Sequence, residues 1–167
     1  MFFNDGGKIM VASTKINRFL EIIRWAGVAL GIFFAFYFDT NPQSQFSIFA
    51  FFTVIFLAGV TAIEGIFFRE GATLVSGYGD SGEGYRRQSR MHFLAITVVM
   101  LIAWIMNWGF YSYLAIYMVL LVFFTFSAIN HLYTGLKEKF VMNTLLRPIA
   151  TIFLWIITFY FLLPALN

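Results

Sequence analysis

Five side chains could do chemistry in a chain that is otherwise strongly apolar: Arg24, Glu64, His92, Asn130 and His131. Each falls near the end of a long hydrophobic run, where an ionisable or strongly polar group is costly and marks function by default. Three chemistries suit these residue types. Glu64, with Arg24 or His131 beside it, could carry a proton or hold a small polar ligand. His92 and His131, on facing helices, could ligate a b-type haem. The same two histidines with Glu64 could supply the three protein ligands of a catalytic zinc, although their spacing matches no zinc motif. Each reading has a purely architectural counterpart. Arg24 and Glu64 could form an ion pair that sets helix register, and the histidines could sit at the water interface. Both alternatives stand at the level of sequence.

A second stretch, Ser76 to His92, carries two suggestive strings. Gly77-x-Gly79-x-x-Gly82 matches the dinucleotide fingerprint, which requires a preceding strand, a βαβ unit and an acidic residue about 20 positions on. Here apolar helical runs lie on both sides, so the match is rejected. Gly79-Asp80-Ser81-Gly82 resembles a serine-protease string but lacks catalytic partners and a β-rich domain. The physical reading is a flexible glycine turn, with Asp80 or Ser81 capping a helix that begins just before Tyr85. Arg86, Arg87 and Arg90 on that helix would then meet anionic lipid headgroups.

The elements that must position these residues follow from composition. Of 167 residues, 60% are hydrophobic, 11% are charged and 23 are Phe. Soluble domains carry about 25% charged residues, so the chain belongs to the membrane class. The fold expected is an all-α integral membrane bundle of about five transmembrane helices. The spans are about 22–38, 46–68, 88–106, 111–132 and 148–166, each near the roughly 20 residues that cross a bilayer. A single membrane domain, 1–167, accounts for the chain. Residues 1–21 read as a cytoplasmic amphipathic segment continuous with the first span. Asp39-Thr40-Asn41-Pro42 after that span offers no small-x-small site, so an anchor is expected rather than a cleaved signal. Asn107-Trp108-Gly109 separates the third and fourth spans. Thr134-Gly135 reads as the C-cap of the fourth, and Lys137–Arg147 as a short interfacial segment.

Charge distribution orients these spans. Lys8, Lys15, Arg18 and Arg24 precede or open the first. Arg69, Arg86, Arg87 and Arg90 lie between the second and third, and Lys137, Lys139 and Arg147 between the fourth and fifth. The remaining connections hold no Lys or Arg. Cytoplasmic loops carry the basic excess, so the N-terminus is expected inside and the C-terminus outside. The five polar residues then share one depth, in the cytoplasmic leaflet.

Helices in lipid associate through close packing and polar contacts rather than hydrophobic burial. Two stripes of small residues suit this role: Gly27, Gly31 and Ala35 in the first span, and Ala58, Ala62 and Gly65 in the second. Other catalytic templates fail. No span offers a Ser–His pair, and Asp5, Asp39 and Asp80 are too scattered for phosphoryl transfer. Apolar span centres disfavour a monomeric carrier of polar solutes. Without cysteine there is no thiolate chemistry.

Glu64-Gly65, the run Gly84-Tyr85-Arg86-Arg87-Gln88-Ser89 opening an apolar helix, and Asn130-His131 near the end of the next resemble a family of small uncharacterised prokaryotic polytopic integral membrane proteins. The resemblance covers roughly 64–147 and implies a small helical bundle, with no activity attached. The expected role is a non-catalytic accessory or assembly subunit of a membrane complex, or a homo-oligomer, in a prokaryotic inner membrane. Binding or transport around Glu64 and His131 is the alternative, and haem-dependent electron transfer the second. The expected partners are the bilayer, its anionic headgroups and other membrane subunits or a second copy, with no nucleic acid. No motif requires a cofactor; b-type haem is the one the histidine pair admits.

Overall fold

The computed structural model describes residues 5–67, 83–137 and 142–167, and no strand occurs among them. Helix α1 spans Asp5–Phe38 without a break, so the amphipathic segment and the first apolar run are one helix. It stops before Asn41, whose side chain accepts hydrogen bonds from the backbone N–H groups of Gln43 and Ser44 and caps α2 (Pro42–Val54). Pro42 sits in the first turn, where its missing N–H costs nothing. The N–H of Asn41 donates to the Asp39 carboxylate at 2.9 Å. That bond holds Asp39 below the usual carboxylate pKa.

One turn of π-helix, Ile55–Gly59, separates α2 from α3 (Val60–Phe67). Together these make one apolar run, Pro42–Phe67, in which 56% of the most apolar window is buried, against 22–28% in the other three long apolar helices. It is therefore the central helix. The others pack around it: α1, α4 (Glu83–Ile105), α5 (Phe110–Lys137) and α6 (Met142–Leu166).

The α4–α5 connection turns at Asn107 and Gly109, both at positive φ (49° and 87°). Gly109 takes this conformation without the steric cost a side chain would bring. Two helix ends differ from expectation. Thr134-Gly135 does not end α5, which runs on to Lys137. There the Lys137 ammonium complements the helix C-terminus and lies 4.4 Å from the centre of the Tyr133 ring. The last helix begins at Met142, not at Pro148, so Arg147 is helical and not part of a loop.

The interior is largely aromatic. Phe46, Phe49 and Tyr117 pack together, with Phe49 stacked on Phe161 at 5.0 Å. The Tyr117 hydroxyl and the Thr158 hydroxyl lie 2.6 Å apart, and Thr158 also donates to the Leu154 carbonyl. This gives the buried phenol a partner where no water reaches.

Candidate functional site

Arg24 and Glu64 meet. The Arg24 guanidinium donates to the Glu64 carboxylate and, through Nη1, to Glu21 at 2.8 Å. The two partners of the interhelical pair are largely buried, with side chains 12% and 11% exposed. Glu21 is more open and also accepts from the Trp25 indole at 3.3 Å. Glu21 lies three residues before Arg24 on α1, so local helix geometry supplies the arginine's second carboxylate, while the buried Arg24 Nε has no hydrogen-bond partner among the described residues.

His131 is buried on α5, and its Nε2 lies 2.7 Å from Nη1 of Arg147 on α6. A guanidinium can only donate. Nε2 is therefore the acceptor, and the ring is neutral with its proton on Nδ1. Arg147 is within electrostatic reach of Arg24 as well. The polar residues thus form two clasps at one end of the bundle: α1 to α3 through Arg24–Glu64, and α5 to α6 through His131–Arg147.

His92 and Asn130 are placed differently. Both are exposed on their helices. The His92 ring lies against Phe93 and Phe123, 5.3 Å from the latter. Haem ligation through His131 would have to displace Arg147 from Nε2. Among the described residues, no three His, Asp or Glu side chains converge as a metal ion requires. Arg86 and Arg87 lie on the first turns of α4, with side chains outside the described residues, as is the glycine-rich stretch 68–82.

Both small-residue stripes lie at helix contacts. A Cβ on Gly27 would fall 1.9 Å from Cγ of Phe56, and one on Gly31 2.8 Å from Cβ of Phe52. Ala35 is fully buried. Ala58 and Ala62 are buried, and a Cβ on Gly65 would strike the stem of Arg90 at 2.5 Å. Sequence reasoning missed Arg147, which looked like one more loop cation. The visible signal was its position immediately before an apolar run that a proline does not interrupt.

No protein-family model, curated protein or solved structure matches the chain.

Proposed function

We propose that this protein is a non-catalytic integral membrane subunit, crossing a prokaryotic inner membrane five times with its N-terminus inside and its C-terminus outside. In this reading it serves a larger membrane complex, or a homo-oligomer, as an accessory or assembly component. The observation that carries it is the use of the polar residues. Arg24, Glu64, His131 and Arg147 clasp neighbouring helices to one another, which is how a scaffold uses such groups.

The outer faces support the same reading. Phe33, Phe36, Tyr37 and Phe38 form an aromatic ridge on α1 with 50–70% of each residue exposed. On α5, Val119, Val122 and Phe126 form an open apolar face. Apart from the Tyr37 hydroxyl, neither surface offers a polar ligand a hydrogen-bond partner, and both suit a lipid chain or a neighbouring helix.

Four helices are long and apolar enough to cross a membrane, and the apolar part of α4, Arg90–Ile105, is shorter. A fifth crossing follows if the basic first turns of α4 occupy the headgroup zone, since its 23 residues rise about 35 Å. The basic residues then all fall on one side, in keeping with the positive-inside rule.

Two measurements test this. A reporter fused after Asn167 should be active only outside the cytoplasm; cytoplasmic activity would remove the odd span number. Gentle extraction from native membranes should yield a species well above the 19.2 kDa monomer, containing further copies or a stoichiometric membrane partner. A bare monomer at native abundance would defeat the assembly reading.

A further inference from the structure

The two arginines of the polar end are neutralised in different ways. Arg24 lies deep: from it to Phe38 the helix rises about 21 Å, well short of the roughly 30 Å hydrocarbon core. It has two carboxylate partners, Glu21 and Glu64. Arg147 lies further out. From it to Leu166 α6 rises about 28 Å, which puts its guanidinium at the edge of the hydrocarbon, where lipid phosphates lie. Arg147 is exposed, and among the described residues no carboxylate lies within ion-pair distance of it.

Its hydrogen-bond partner is the neutral imidazole of His131, which orients the guanidinium but contributes no charge. The nearby positive charge of Arg24 is offset by its own two carboxylates, and among the described residues no carboxylate is left to balance Arg147. Its other N–H groups find no acceptor among the described residues. A planar fork held on one side and open on the other is suited to bidentate recognition of a phosphate.

We propose that Arg147, held in place by His131, binds a phosphate group at the membrane surface. The group is either the phosphodiester of an acidic phospholipid or a free phosphate. The site is distinct from the basic first turns of α4; the proposal rests on the membrane-spanning reading but not on assembly, since a monomer would bind the phosphate equally well.

The test uses the full chain in lipid nanodiscs. In discs mixing phosphatidylcholine and phosphatidylglycerol, native mass spectrometry should show retained phosphatidylglycerol. Arg147→Gln should lower that retention about tenfold, the loss expected for a charge-assisted bidentate contact. In pure phosphatidylcholine discs, inorganic phosphate is titrated while thermal unfolding is followed. A rise in Tm that Arg147→Gln abolishes, without phosphatidylglycerol selectivity, makes free phosphate the occupant. Arg147→Lys keeps the charge and loses the fork, so the wild-type signal should fall about threefold; this variant decides the matter if Arg147→Gln does not fold. Wild-type lipid retention together with an unchanged phosphate response in the folded variants would overturn the proposal.

Discussion

Glu64→Ala is expected to destabilise the bundle by about 3 kcal/mol, through the charge it leaves behind rather than the contact it removes. Breaking a buried ion pair by deleting one partner costs about 3–5 kcal/mol, and an arginine at the centre of a membrane helix costs about 2.5–3.5 kcal/mol. The lower end applies because Glu21 still accepts from Arg24. Removing both charges should cost far less. An Arg24→Met, Glu64→Leu double variant is expected to lie near the wild type, because apolar replacement of a buried pair is often neutral or stabilising. Reversible unfolding in mixed micelles measures both. If Glu64→Ala alone stayed within about 0.5 kcal/mol of wild type, the range of ordinary surface changes, the clasp would have no role in stability.

Gly27→Ala should be destabilising by about 1–3 kcal/mol, the cost of forcing extra atoms into a packed site. Its sign is what makes it informative. In an uncrowded helix the same change gains about 1 kcal/mol from helix propensity. Here the new Cβ would fall 1.9 Å from Cγ and 2.2 Å from Cβ of Phe56. Rotation about χ1 can move Cγ, but Cβ is fixed by the backbone, so α1 must move away from the central helix. Gly65→Ala is the matched control. Its obstruction is Cγ and Cδ of Arg90, at 2.5 and 2.7 Å, atoms that swing with the side-chain torsions while a Cβ does not, so it should cost less than Gly27→Ala. Thermal unfolding of the two variants in the same detergent makes the comparison. Stabilisation by Gly27→Ala would show that α1 does not pack this closely.

Much of this architecture is legible in the sequence because lipid imposes a simple rule. Backbone groups in hydrocarbon must be satisfied internally, so long apolar runs become helices, and their bounds follow from interruptions such as Asn41-Pro42 and Asn107-Trp108-Gly109. The small-residue stripes were legible for a related reason: Gly27, Gly31 and Ala35 recur at the period of one helix face. The ends of α5 and α6 were not. Gly135 and Pro148 resemble a stop and a start, yet both are accommodated inside helices: a glycine there costs only about 1 kcal/mol, and a proline near a helix start gives up few backbone bonds.

Amino-acid order alone determined that this chain is helical, suited to a membrane, and polar at only a few positions near the ends of its apolar runs. Which of those positions meet was decided by tertiary structure. The π-turn at Ile55–Gly59 inserts a residue into the central helix and rotates everything after it by about 100°, and no periodicity in the sequence announces it. Glu64 lies beyond that turn and faces Arg24. The continuation of α6 back to Met142 carries Arg147 onto a helix beside His131, while His92 comes to lie against Phe123. Depth along a helix can be counted from residues, but azimuth depends on packing between helices, and azimuth selects the partner.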